Sequence, residues 1–239
     1  MKPLLIVVFM IALALASPAR SEGRHVVIST LIDPDPVTLI AIRVMTAAYQ
    51  RLGITMEIKH LPGERALQTA NKGLVDGELF RKKDGITQLY PNLIRVPVAI
   101  TVAEFVVFTK DKRFPVEGWQ SLAPYKVGYV RGIKAIDANL INGTRSEMVT
   151  DHTQAFWKLL MGRTDVVVAV RATGLAILKE KALKGVVILE PPLLSIDLYH
   201  YLHKKNMTLA APLTAVLQQM EKEGFIQNII DQVIQDALE

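Results

Sequence analysis

The feature that most limits the fold is an alternation, run through twice, of short β-branched stretches and helix-patterned stretches. His25 to Leu31 (His-Val-Val-Ile-Ser-Thr-Leu) reads as a buried strand. Asp35 before Pro36 supplies an N-cap with proline at the first helical position. The helix that follows is predicted to run to Leu52, with Val37, Ile40, Val44, Ala48 and Leu52 on one face, Arg43, Thr46 and Gln50 on the other, and Gly53 as its stop. A strand over Ile54 to His60, a helix over Glu64 to Lys72 and a strand over Leu74 to Phe80 complete a β-α-β-α-β run. That order predicts a parallel sheet with crossover helices.

The second run opens at Lys126 to Leu140, which reads as a strand, a glycine turn and a helix start. Gly132 lets the backbone bend and come close to a ligand, and the first amides of the next helix have no partner inside it. Strands are predicted over Lys126 to Val130, Arg145 to Val149, Asp165 to Val170 and Val186 to Leu189, and helices over Ile133 to Ile141, Thr153 to Met161 and Leu175 to Leu183. Between the two runs, Arg81 to Asn92 is polar, and Leu93 to Val98 and Val102 to Phe108 read as two strands. The polar break Thr109 to Pro115 is the expected first crossing, and Trp119 to Leu122 is a short helical piece. Asp197 to Leu202 carries the chain back, and helices over Pro212 to Glu223 and Phe225 to Leu238 close it, the last docking through Ile226, Ile229, Ile230, Val233 and Ile234. The expectation is an α/β protein of two lobes, residues 20–108 with 197–239 and residues 109–196, with a groove between them as the default ligand site.

Lys2, the apolar run Leu4 to Ala16 and Ser17-Pro18-Ala19 form a secretory signal, residues 1–19, with cleavage after Ala19 or Ser21. The run is shorter than the roughly 20 apolar residues of a stable anchor, and no later segment is longer, so no membrane insertion is expected. The chain has no cysteine, which excludes disulfides, thiolate metal sites, a cysteine nucleophile and lipid attachment at an N-terminal cysteine. A periplasmic protein, monomeric and not lipid-anchored, is predicted. Losing Lys2 lowers the charge from +5 to +4, and no basic cluster with interleaved aromatics occurs, so nucleic acid is not an expected partner.

Arginines stand where strands give way to loops or helices: Arg81 after the third strand, Arg131 after the first strand of the second run, and Arg171 after Val170. Open α/β sheets bind ligands at the carboxyl ends of their strands, and arginine suits bidentate capture of a carboxylate or phosphate. Arg81, Arg131, Gly132 and Arg171, with Arg65 and Asp33, are therefore the candidate ligand residues for a small anionic or zwitterionic solute. Neither a metal nor a cofactor is expected: His200 and His203 point to opposite faces of a strand. Glu64 and Glu78 could act as acid or base, yet read more simply as a helix-start acid and a strand-surface acid. No Gly-x-Ser-x-Gly elbow, His-Glu-x-x-His motif or phosphate loop is present.

Ala66-Leu67 with Gly73-Leu74-Val75-Asp76-Gly77, then Leu122 with Lys126-Val127-Gly128-Tyr129-Val130-Arg131-Gly132, then Gly162-Arg163-Thr164-Asp165-Val166-Val167 follow one another in an order and spacing over most of the chain. In these motifs the chain resembles the bacterial extracellular solute-binding proteins of family 3, the type II periplasmic substrate-binding proteins of polar amino acid ABC transporters. The resemblance implies a discontinuous first lobe, C-terminal helices packed back onto it, and hinge closure around a ligand. Where such proteins hold an α-amino group with an aspartate, this chain has Val170. Where they hold the carboxylate with a Thr-x-x-Arg element, Thr87 is followed by Gln88-Leu89-Tyr90, and the nearby basic residues are Arg81, Lys82 and Lys83. The expectation is a non-enzymatic receptor, with Arg81 as the anchor, that presents a small polar ligand other than an ordinary amino acid to a membrane permease or sensor. Two alternatives stay open: a dehydratase-like lyase on the same scaffold, and a sensory partner that binds no ligand.

Overall fold

The computed structural model describes residues 24–32 and 35–236. The predicted signal, Asp33 and the end of the closing helix lie outside the described residues. In the first half, β1 (His25–Leu31), α1 (Pro36–Arg51), β2 (Thr55–Leu61), α2 (Gly63–Asn71) and β3 (Gly77–Lys82) follow the predicted alternation. Asp35 caps α1 by accepting from Thr38 N at 2.8 Å, with Pro36 next to it, and the helix stops one residue before the predicted Leu52. β1 pairs in parallel with β2 along its whole length and with β3 at Ile28 and Ser29. β3 starts at Gly77 and not at Leu74, because the Asp76 carboxylate takes the Val27 amide at 2.8 Å and leaves Leu74 exposed in a turn.

A short helix, α3 (Ile86–Leu89), falls inside the predicted polar stretch. Next come β4 (Leu93–Thr109), a 3-10 turn at Trp119–Leu122, β5 (Val127–Val130), α4 (Lys134–Asn139), β6 (Ser146–Val149), α5 (His152–Leu160), β7 (Val166–Val170) and α6 (Arg171–Glu180). β8 (Val187–His203) leads through a 3-10 segment at Lys204–Leu209 to α7 (Ala210–Lys222) and α8 (Phe225–Asp236). The strands form one sheet in the order β2-β1-β3-β8-β4-β7-β5-β6.

The largest departure from expectation is that four predicted strands are two. β4 absorbs both Leu93 to Val98 and Val102 to Phe108, and β8 absorbs both Val186 to Leu189 and Asp197 to Leu202. The sequence breaks between them are bulges. Pro97 falls within the register shift between Arg95 and Ala99, and Pro191-Pro192 fall where Val107 pairs with Leu189 but Phe105 pairs with Leu194. Proline cannot donate to a ladder and is accommodated at such irregularities.

Helices cover both faces of each half. α1, α7 and α8 bury Ile40, Val44, Met45, Leu213, Leu217, Met220, Ile229 and Val233 against β1, β3 and the first part of β4. α2 closes the other face through Leu67 and Ala70, near Tyr90 and Tyr201. In the second half, one face packs Leu122, Val127, Ile136 and Val168, the other Val106, Phe108, Phe156 and Leu159, with Phe108 and Phe156 edge to face at 5.1 Å. Among the described residues no helix is long and apolar enough to cross a membrane.

Gly77 has a packing reason, since a Cβ there would meet the Tyr201 carbonyl oxygen at 2.3 Å, backbone against backbone. Gly77→Ala is expected to cost about 1–3 kcal/mol, or roughly 2–4 °C in Tm per kcal/mol for a chain of this size. Differential scanning calorimetry checks it, and a Tm within a degree of the parent would contradict the close approach of β3 to β8.

Candidate functional site

The carboxyl ends of β1, β3 and β7 converge on the middle of β4 and β8, and a cavity of about 280 Å³ opens there. Its walls are Leu31, Val37, Phe80, Ala103, Phe105, Val170, Ile196 and Leu198, with Asp35, Arg81 and Lys82 as the charged members. Ala103, Val170 and Ile196 also pack against core clusters of both halves, so the cavity sits where the two halves meet. A larger hollow of about 560 Å³ lies between the start of α1, α6 and the end of α8, and none of the predicted arginines lines it.

Arg81 is brought in by an irregularity in β3. Glu78 pairs with Tyr201 but Arg81 pairs with Tyr199, so three steps on β3 face two on β8. In a regular strand residues three apart point to opposite faces; this bulge puts them together, and Arg81 Nη2 stands 2.5 Å from Glu78 Oε1. The same Nη2 donates to the Gly63 carbonyl at 3.0 Å, while Arg81 Nε is buried with no partner among the described residues. Glu78 is fully buried and its Oε2 accepts from Ser29 Oγ at 2.5 Å. Burial pushes its carboxyl up to about 7, against the opposing pull of Arg81 and the Ser29 hydrogen bond. Glu78 is thus not the surface acid expected from strand alternation, whereas Glu64 is a first-turn acid of α2, exposed, accepting from Tyr90 Oη at 2.7 Å and Gln68 at 3.0 Å.

Arg171 heads α6, and its guanidinium is taken up by two carboxylates. Nε donates to Glu104 on β4 at 2.6 Å, and Nη1 and Nη2 grip Glu190 on β8 at 2.7 and 3.0 Å. It ties three elements together and does not line the cavity. Arg131 and Gly132 are exposed at the end of β5; Gly132 has a φ of 84°, the bend expected of it, and the Arg131 amide donates to the Val149 carbonyl at 3.0 Å. Arg65 is on the exposed face of α2. The Glu64 carboxyl is held below its ordinary value, chiefly by the hydrogen bonds from Tyr90 and Gln68 and to a smaller degree by the charges of Lys134 and Arg81. Of the predicted set, the structure places Arg81 in the cavity; Arg131, Gly132 and Arg65 stand outside its lining, and Asp33 lies outside the described residues. Sequence reasoning missed the apolar walls and the Ser29–Glu78–Arg81 chain. Phe80 and Phe105 carry no mark of a ligand wall in a sequence where most strands are rich in apolar residues. Among the described residues no three metal-ligating side chains cluster.

No family model matches the chain. An uncharacterized protein of Shewanella oneidensis is 29% identical over 198 residues, 77% of this chain and 72% of that one. The probable amino-acid ABC transporter extracellular-binding protein of Bacillus subtilis superposes with a TM-score of 0.73 over 89% of this chain and 99% of its own, at 14% identity. A histidine kinase sensor domain with similarity to periplasmic binding proteins gives 0.64 over 89% of this chain and 97% of its own, at 17% identity. The fold is that of the two-lobed, type II periplasmic binding proteins.

Two outcomes follow from the buried groups. The folded chain holds the Glu78 proton between about pH 4.5 and 7, where the unfolded chain has lost it, so this contribution favours folding below that window and is lost as pH rises through about 7. His200 acts oppositely: buried, and pushed down to about 4, it withdraws stability as pH falls from 6.5. The Tm of the parent minus that of Glu78→Gln is therefore expected to fall as pH is raised from about 5 to about 8, which isolates Glu78 from His200; a flat difference would contradict its raised pKa. Arg171→Met, which orphans Glu104 and Glu190, is expected to cost about 1–2 kcal/mol given the partial exposure of both partners. An unchanged denaturant midpoint would show that this clamp contributes nothing.

Proposed function

We propose that this chain is a periplasmic receptor of the family 3 solute-binding type, exported by residues 1–19 and free of a lipid anchor. It closes two lobes, residues 20–108 with 197–239 and residues 109–196, on a small anionic or zwitterionic ligand, and presents it to an ABC permease or a sensor without turning it over. The observation that carries this reading is the cavity at the junction of the halves with a largely buried guanidinium, Arg81, among its lining residues, held from within the protein through Nη2 by Glu78 and the Gly63 carbonyl. A guanidinium has five donors and suits capture of a carboxylate. Arg65, Arg131 and Gly132 take part at the rim, Arg171 holds the crossing between lobes, and Asp33, outside the described residues, is a further ligand residue of this reading. The neighbours support a binding protein above an enzyme, and one of them, the sensor domain, keeps signalling open as the output.

Thermal shift against amino acids, polyamines, dicarboxylates and aromatic or branched monocarboxylates tests it. A ligand at a hundredfold its dissociation constant adds about 2.7 kcal/mol, and mass spectrometry of the compound after incubation distinguishes binding from conversion. Arg81→Gln is expected to weaken the responding compound roughly 10- to 150-fold, the worth of a charged hydrogen-bonded contact. Full affinity in that variant would remove Arg81 as the anchor.

A further inference from the structure

We propose that the ligand is a monocarboxylate with an apolar body and no α-ammonium group; this rests on the receptor reading above. The charged residues that line the cavity are two cations and one carboxylate. Arg81 and Lys82 face it, against the single carboxylate of Asp35. That carboxylate is held at the start of α1, where Oδ1 accepts from both Thr38 N at 2.8 Å and Thr38 Oγ1 at 2.9 Å. Glu78 lies outside the lining and shares the Arg81 guanidinium through Nη2, and Glu104 and Glu190 are held by Arg171.

The wall contributed by Ala103, Phe105, Val170 and Ile196 offers side chains with no acceptor. An ammonium pressed against it would give up its water without a hydrogen bond in return, whereas hydrocarbon there leaves water favourably. A volume of about 280 Å³ admits a small molecule. A branched or aromatic carboxylic acid of that size puts its carboxylate on Arg81 and its body against the apolar wall.

Isothermal titration of the purified protein with matched pairs tests this: 4-methylpentanoate against leucine, and 3-phenylpropanoate against phenylalanine, with glutamate, arginine and succinate alongside. The expected result is at least tenfold tighter binding of the acid that lacks the amino group, weakened at least tenfold in Arg81→Gln. Val170→Asp, which places a carboxylate in the wall, is expected to shift the preference towards the amino acid, and it keeps the test decisive if Arg81→Gln fails to fold. Tighter binding of leucine, phenylalanine or any of the three polar compounds overturns the inference and leaves the receptor reading standing. No binding of any of the seven compounds overturns the inference and removes the support for a receptor of small carboxylates together.

Discussion

The antiparallel ladder between β4 and β8 is what the rest of the structure depends on. It runs from the Leu93–His203 pair to the Thr109–Val187 pair, the full length of both 17-residue strands. The first half is attached to it through β3 on β8, and the second through β7 on β4. Every hydrogen bond joining the halves of the sheet therefore passes through these two strands. Bulges interrupt the ladder near Pro97 and Ile100, and again between Phe105 and Val107. An interrupted ladder bends and twists more readily than a regular one, and these interruptions bracket the Ala103–Phe105 wall. The cavity sits where the sheet is least regular, with a helix-covered half on either side.

Within that frame, the Ser29–Glu78–Arg81 chain is a buried polar group in an otherwise apolar junction. Taking two charges out of water costs more than a single contact returns unless further hydrogen bonds complete both groups. Glu78 accepts from Ser29 on one oxygen, and its other oxygen is in ion-pair contact with Arg81 without a hydrogen bond; Arg81 donates to the Gly63 carbonyl and has a buried Nε left over. The incompleteness is shared by Glu78 Oε1 and Arg81 Nε, and Arg81 is the member of the chain that lines the cavity. A bulge produces it: had β3 stayed regular, Arg81 would have faced away from Glu78 and each would have needed a separate partner.

Most of the fold was legible because its causes are local. Asp35-Pro36 starts α1, the spacing of Val37, Ile40, Val44 and Ala48 sets its buried face, and β-branched runs mark β1, β5 and β7. What misled were features whose meaning is tertiary. Pro97 and Pro191-Pro192 look like strand breaks in sequence and are bulges inside β4 and β8, because the partner strand supplies the pairing on both sides of each. Glu78 looks like a surface acid under strict alternation and is buried, because β3 is an inner strand of the sheet and Gly77 to Phe80 are buried on both faces. The candidate site was legible to the extent that strand ends carrying arginine were picked out, and Arg81 is at one of them.

The contrast between Arg81 and Arg171 shows where such reading stops. Both are arginines at the carboxyl end of a strand, both are mostly buried, and both pair with glutamate. Arg171 meets two carboxylates that come from 67 positions before it and 19 after it, and their oxygens use its Nε and both Nη groups. Arg81 meets one carboxylate, three positions before it, through a single nitrogen. Five donors on one planar group are thus close to filled in one case and well short of it in the other. The same residue in the same local setting is a clamp between elements or an anchor with capacity to spare, and the difference is decided by acids that only the folded sheet brings near.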